Sequence, residues 1–298
     1  MRVLSIDVGG TFIKSAVISE EEIVTLPKRP TPCTDLEQFL DVIADLYREN
    51  SDVDGIALSM PGVVDEATGF MYTGGSLTCI RDADLPALIR ARCGQIPVTV
   101  ANDAKAGALA ELERGVLKDV QNALILVIGT AIGGAVICDR VVLTGSHRFA
   151  GEFSFMVLPT ADEQKPTDNW GFMGGSARVS MFYGKLQGDS AAIKPEEVFR
   201  LAQVGDEKAL AAIRMFCDEM APAVSNLQCV TDPDVIAFGG GISEQPLFIE
   251  LMQESIRIFQ QKWGLCDIGM PEICVAACRY HDNTMGAYLH FLQQGRSA

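Results

Sequence analysis

Positive charge is scarce in this sequence: 24 Lys and Arg stand against 39 Asp and Glu, a formal net charge of −15. Neutralising a phosphate backbone takes clustered Lys and Arg. No basic run occurs, so a nucleic-acid partner is not expected. Histidine is scarcer still, at three (His147, His281 and His290), none at a spacing that zinc ligation uses. Long apolar runs are missing too. The most apolar segment, "ALILVIGTAIGGAVIC", is cut by Gly129, Thr130, Gly133 and Gly134 and falls short of the ~20 residues of a membrane span. Asp7 interrupts the first apolar stretch, which does not suit a secretory signal. Nor is there a paired cysteine pattern: nine, an odd number, lie scattered from Cys33 to Cys278. That distribution fits reduced thiols in a cytoplasm better than a disulfide frame. A soluble, cytoplasmic protein is expected, and 298 residues suffice for one large or two medium domains.

What is present is glycine at regular places. "VLSIDVGGTFIKSAVIS" reads as two strands joined by a glycine turn. Asp35 to Arg48 has helical apolar spacing, with Asp35 near its start. "VDGIALSMPGVVD" is a buried strand ending in a Pro61-Gly62 loop, and "IPVTVANDAKAGALAELERG" is strand, polar turn and helix up to Gly115. The opening layout then restarts in "ALILVIGTAIGGAVICD", which implies duplicated domains rather than a solenoid. The boundary falls near Val116–Gln121. Thr160 to Gly175 is expected to be loop, and Pro195 to Phe216 largely helical. "PDVIAFGGGISEQPLFIELMQESIRIF" is strand, triple glycine and helix, and "HDNTMGAYLHFLQ" a turn with a final helix. Strands alternating with helices make the chain α/β.

Bare backbone at Gly9 and Gly10 lets a ligand approach main-chain N–H groups, which can cradle phosphate oxygens. Thr11 adds a hydroxyl, Lys14 a positive charge, and Asp7 a carboxylate able to hold magnesium through water. The same residues also suit a tight hairpin with a solvated aspartate. The second turn, at Gly129, Thr130, Gly133 and Gly134, repeats the device, and two such loops can clamp a polyphosphate. Both turns lead into strands, so neither is a dinucleotide fingerprint or a Walker loop. "FGGGIS" (238–243) admits a phosphate at a helix N-terminus or is a plain connection. Asn102 and Asp103 end a strand and open a helix, where caps belong; a cap needs one of them, and Asp103 can accept a sugar hydroxyl's proton. Glu152, in "FAGEFSF", is either an exposed glutamate or an acceptor for two vicinal hydroxyls.

The segments "DVGGT..K", "PG", "AND", "IGTAIGG", "AGE", "FGGGIS" and "DNTMGA" follow one another across nearly the whole chain. In that order they resemble the ROK family of sugar kinases, within the actin-like, ribonuclease H-like duplicated fold with a cleft between two domains. The resemblance implies a smaller N-terminal domain at 1–117, joined by a helix near 284–298, and a larger one at 118–283. It implies Asp103 as catalytic base, with Asn102, Glu152, Gly62, Ser76 and Leu77 around the sugar. ATP falls to Asp7, Gly9, Gly10, Thr11, Lys14, Gly129, Thr130, Ala131, Gly133, Gly134, Gly240 and Gly241, with Mg at Asp7.

The departures are specific. Phe155 stands where most members have histidine, "DNWGFMGGS" replaces their cysteines, and a family-type zinc is excluded. Ala131 takes a position where glycine is commoner. These features are similar to a zinc-lacking branch that includes β-glucoside kinases, with Phe155 and Trp170 as an aromatic platform for an aglycone; a core phenylalanine is the other reading of Phe155. The implied activity is phosphorylation of the 6-hydroxyl of a hexose or hexoside such as cellobiose. Alternatives are a glucokinase, a fructokinase or an N-acetylmannosamine kinase, and, from another class, a non-catalytic sugar sensor or an actin-like ATPase. Sensors of this kind carry an N-terminal DNA-binding extension, whereas here the first phosphate strand begins at Arg2. The implied partners are a small sugar and, as often in the family, a second copy in a homodimer.

Overall fold

Apolar runs on either side of the first glycine turn pair as the sequence predicts. In a computed structural model describing residues 1–157, 169–188, 193–265, 269–277 and 282–297, β1 (Val3–Val8) and β2 (Phe12–Ile18) form an antiparallel hairpin. The chain divides into two compact units. Unit 1 is Met1–Lys118, Thr144–Phe149 and Cys278–Ala298; unit 2 is Asp119–Leu143 and Ala150–Ala277. Nothing in the sequence marks the return of Thr144–Phe149 to unit 1.

In unit 1 the hairpin is extended by β3 (Ile23–Pro30), while β4 (Gly55–Met60) lies parallel to β1. A small antiparallel sheet follows, of β5 (Val63–Asp65), β6 (Phe70–Thr73) and β7 (Arg81–Asp84). With β8 (Val98–Asn102) the main sheet runs β3-β2-β1-β4-β8. Every residue of β1 and β4 is buried, as central strands covered on both faces require. The helices are α1 (Leu36–Glu49), α2 (Leu85–Cys93) and α3 (Asp103–Arg114). Asp35 caps α1, its carboxylate accepting the Gln38 N–H at 3.0 Å. Helix α1 buries Phe39, Leu40, Ile43 and Leu46 against the sheet.

Unit 2 repeats the plan. Strands β9 (Ala123–Ile128), β10 (Ile132–Cys138), β11 (Val141–Val142), β12 (Val235–Gly239) and β13 (Glu272–Val275) run in the order β11-β10-β9-β12-β13. The first three are antiparallel and the last two parallel to β9, matching unit 1 strand for strand. Its helices are α4 (Trp170–Met173), α5 (Ala177–Gln187), α6 (Pro195–Gln203), α7 (Glu207–Thr231) and α8 (Pro246–Lys262). They enclose a core that includes Trp170, Phe199, Phe216, Phe238 and Phe248.

Three elements differ from expectation. Strand β3 is mostly exposed and so carries no apolar alternation to read. The helical run from Pro195 breaks before Glu207, because Asp206 caps a new helix by accepting the Ala209 N–H at 2.9 Å. The loop expected at Thr160 to Gly175 lies partly outside the described residues, and Trp170–Met173 within it is helical. Among the described residues no helix is long and apolar enough to cross a membrane.

The final helix, α9 (Asp282–Ser297), packs on α3, β1 and β4 of unit 1. The approach is close enough to forbid side chains: a Cβ on Gly286 would stand 1.8 Å from the Ala106 carbonyl oxygen, and one on Gly55 would meet the Phe291 ring at 2.1 Å. Gly286→Ala should therefore cost about 1–3 kcal/mol. Gly295→Ala, with nothing within 4 Å of its added Cβ, should gain up to about 1 kcal/mol; denaturant midpoints compare the two. On the same helix His290 is buried with its Nε2 unpartnered. Burial holds the imidazole below its usual value, against the opposing Glu66 charge. The unfolded chain then takes the proton first, so stability is full above about pH 6.5 and is lost as pH falls through the lower folded value. Melting temperature should drop between about pH 7.5 and pH 5.5, and His290→Leu should show a smaller drop.

Candidate active site

Unit 1 brings the first glycine turn, the end of β8 and the Pro61–Leu77 loops into one set of contacts. The turn itself is shaped by what holds its carbonyls. Thr31 donates its hydroxyl to the Gly9 oxygen at 2.7 Å and its N–H to the Thr11 oxygen at 3.0 Å, and the Cys33 thiol donates to the Gly10 oxygen at 3.0 Å. In a planar trans peptide the C=O and the next N–H point oppositely. Carbonyls of Gly9 and Gly10 drawn inward therefore turn the Gly10 and Thr11 amides outward, as an anion nest requires. Gly10 and Thr11 are exposed.

Asp7 precedes this turn and is 5% exposed. Its Oδ1 accepts from Asn283 Nδ2 at 3.1 Å and Ser59 Oγ at 3.3 Å, and Lys14 Nζ lies 3.6 Å from Oδ2. Lys14 sits opposite Asp7 in the strand register. Burial pushes the carboxyl above its usual range, with Asn283, Lys14 and Ser59 pulling it back. A carboxylate so desolvated suits a bound cation, which would favour its charged form.

Asn102 and Asp103 take different roles. Asn102 caps α3, its Oδ1 accepting the Lys105 N–H at 3.1 Å. Its Nδ2 donates to the Gly62 carbonyl at 3.0 Å, and its own N–H to Glu66 Oε1 at 3.0 Å. With the cap supplied by Asn102, Asp103 stands on the first turn of α3, half-buried, its Oδ1 accepting the Ala104 N–H at 2.8 Å. Gly62 has φ +95°, and a Cβ there would lie 2.2 Å from the Thr73 oxygen, so only glycine fits. Ser76 is exposed and borders the first glycine turn, its Oγ 3.2 Å from where a Gly10 Cβ would stand. Leu77 is fully buried, its side chain part of the unit 1 core.

In unit 2 the turn at Gly129, Thr130 and Ala131 is exposed and closed by Gly129 N–H to the Ala131 oxygen at 2.9 Å, as Gly9 N–H closes on the Phe12 oxygen at 3.1 Å in unit 1. The Ser176 N–H at the start of α5 takes the Gly129 carbonyl at 2.9 Å, and Gly175 packs on the Thr130 oxygen. Gly133 is half-buried with nothing near its missing side chain, whereas a Gly134 Cβ would meet the Ile125 oxygen and the Phe153 ring. Gly134 is thus a packing position. Gly240 has φ +95° and abuts the Ile128 carbonyl. Gly241 opens a 3₁₀ turn rather than α8, which begins at Pro246, so the glycines are not at a long helix's N-terminus.

Glu152 precedes the 3₁₀ turn Phe153–Phe155, half-buried, and its side chain does not cap that turn. Phe155 is 62% exposed, which removes the core reading, while Trp170 is fully buried edge-on to Phe153 at 6.3 Å. Trp170 therefore cannot join an aromatic platform. Several supports have no sequence signal of their own. Asn283, Ser59 and Ser176 come from segments remote from what they hold, and the buried Lys105 donates to the Arg148 oxygen at 3.3 Å while Arg148 pairs with Asp65 at 2.8 Å.

Two matching sheets, each opening on a glycine-turned hairpin, define the duplicated actin-like α/β fold. The chain belongs to the ROK family, whose model matches residues 3–294. It is 30% identical to a β-glucoside kinase of Listeria innocua, covering 99% of this chain and 98% of that one. It is 28% identical to an N-acetyl-D-glucosamine kinase of Vibrio vulnificus, over 84% and 87% of the two chains. A ROK family protein from Streptococcus pneumoniae, solved in complex with sucrose, superposes with TM-score 0.87 at 28% identity, over the full length of both.

Replacing Asn102 by Asp keeps the capping oxygen but sets a carboxylate oxygen against the Gly62 carbonyl. Asn102→Asp should lose about 1–3 kcal/mol in denaturant unfolding, more than Asn102→Ser, which retains a cap and removes the clash.

Proposed function

We propose that this protein is an ATP-dependent sugar kinase that passes the γ-phosphate to the 6-hydroxyl of a hexose or, preferentially, a hexoside. The observation that carries the reading is Asp103, a half-buried carboxylate on the first turn of α3, the helix that Asn102 caps. The helix dipole favours its ionised form, and as general base it would accept the hydroxyl proton as that oxygen attacks phosphorus. Asn102 fixes the base and the Gly62 loop, and Ser76 and Glu152 offer groups to sugar hydroxyls.

Phosphate suits the Gly10 and Thr11 amides of unit 1, turned out by carbonyls tied inward, and in unit 2 the Thr130 amide, which shares a peptide with the tied Gly129 carbonyl. Gly240 and Gly241 fall to the nucleoside side. Magnesium, bound through water at Asp7, would neutralise phosphate charge. Lys14, Asn283 and Ser59 orient that carboxylate.

The hexoside preference rests on Phe155, an exposed ring three residues beyond Glu152, and on the Listeria innocua relative's name. An exposed aromatic face can stack on the second ring of a glycoside. ADP release with MgATP across glucose, fructose, N-acetylmannosamine, N-acetylglucosamine, cellobiose and an aryl β-glucoside tests it. Turnover should be strongest on the β-glucosides, and Phe155→Ala should raise KM for the aryl glucoside more than for glucose. Turnover confined to free monosaccharides would remove the hexoside, and silence across the panel the kinase. Asp103→Ala should lose about three or more orders of magnitude in kcat while calorimetry still detects nucleotide.

A further inference from the structure

The thiol that holds the Gly10 carbonyl has a second cysteine against its own backbone. The Cys79 N–H donates to the Cys33 oxygen at 3.3 Å, and Thr78 Oγ1 to the same oxygen at 3.4 Å. The Cys79 thiol lies 3.8 Å from the oxygen of Pro32, the residue before Cys33. Both cysteines are half-buried and so open to small reagents, whereas Cys217 is sealed in the unit 2 core. The bond from the Cys79 N–H to the Cys33 oxygen sets the two main chains side by side, as a disulfide, with α-carbons roughly 4.4–6.8 Å apart, requires.

We propose that Cys33 and Cys79 are a dithiol modification site that a hydroperoxide closes to a disulfide, loosening the Gly9–Gly10–Thr11 turn and weakening nucleotide binding there. The nucleotide half rests on the kinase reading above. One thiolate sulfur attacks the peroxide; an S–O bond forms, the O–O bond breaks, and the departing hydroxide takes the proton that thiol gave up and leaves as water. The second thiolate attacks that sulfur, the S–S bond forms and the S–O bond breaks, and the hydroxide released takes the second thiol's proton to leave as another water. Two sulfurs have lost two electrons and the peroxide has gained them. Burial, with the Cys33 and Asp35 charges adding, pushes the Cys79 thiol up. Once the disulfide forms no S–H remains, and the Gly10 carbonyl loses its donor. The opposed Thr11 amide is then no longer held outward. Cys79 also lies three residues beyond Ser76, which borders Gly10, so the bond draws on both loops at once.

The full chain is treated with hydrogen peroxide, its remaining thiols are blocked, and it is digested without reductant. Mass spectrometry should find a Cys33–Cys79 linked peptide that dithiothreitol removes and that Cys33→Ser and Cys79→Ser both lack. Calorimetry with a non-hydrolysable ATP analogue and magnesium should show Kd rising about tenfold on oxidation and recovering on reduction. Peroxide-treated Cys79→Ser should hold the reduced value. No linkage, or a different pairing, overturns the site. A linkage with unchanged Kd overturns its coupling to the turn. A reduced protein that binds no nucleotide fails the kinase reading and the coupling with it, while the linked peptide still decides the dithiol.

Discussion

The geometry around the start of α3 depends on where Asn102 directs three polar groups. Its N–H goes to the Glu66 carboxylate, its Nδ2 to the Gly62 carbonyl and its Oδ1 to the Lys105 N–H. The first ties a strand end to the β5–β6 turn, the second fixes a loop that only glycine can form, and the third begins a helix. Each is a buried or half-buried bond worth about 1 kcal/mol when made and more when one partner is left unpaired. Together they make the strand end, the loop and the helix start one body, on which Asp103 is carried. That body reaches the far end of the chain as well, since Gln294 Nε2 donates to the Glu66 carbonyl at 3.3 Å. A helix some two hundred residues away in sequence thus helps hold the strand-to-helix junction.

The duplicated hairpins carry exposed glycine turns of different length, Gly9 closing on Phe12 and Gly129 on Ala131, held by different supports. In unit 1 a threonine and a cysteine from the segment after β3 draw the turn's carbonyls inward; in unit 2 an amide at the start of α5 does so. What the two copies share is the consequence, an amide turned the other way beside each tied carbonyl. Selection on such a turn acts on its glycines directly and on its supports only through geometry, so the supports are free to diverge.

That difference explains what could be read from the sequence. Glycine positions, the Asp35 cap and the restart at Ala123 are local, and each announces itself through conformation or periodicity. The matching sheet order follows from the restart. The partners of those local signals come from elsewhere in the chain. Asn283 reaches Asp7, Ser176 reaches Gly129 and Arg148 reaches Asp65 across separations that no periodicity encodes. Leu77 and Gly134 show the converse: both lie in motifs that look functional, yet burial assigns them to packing. Phe155 and Trp170, read alike as aromatic surface, part because one sits on an exposed 3₁₀ turn and the other is enclosed by unit 2's core.

Three residues sit where a fold built only for stability would not put them. Asp7 is buried although burial opposes its charge, Lys105 is 4% exposed with its ammonium on the carbonyl of Arg148, and Phe155 holds a large apolar ring in water. The first two disfavour the folded state by desolvation, and the third forgoes the stabilisation that burying its ring would give. The first two are tolerated because α9 and α3 pack without intervening side chains at Gly286 and Gly107, which lets Asn283 reach Asp7 and keeps the start of α3 rigid. A local cost borne by a tightly packed neighbour is the pattern expected of functional positions. Here the neighbour is the C-terminal helix, so the competence of the first glycine turn is tied to the last element of the chain.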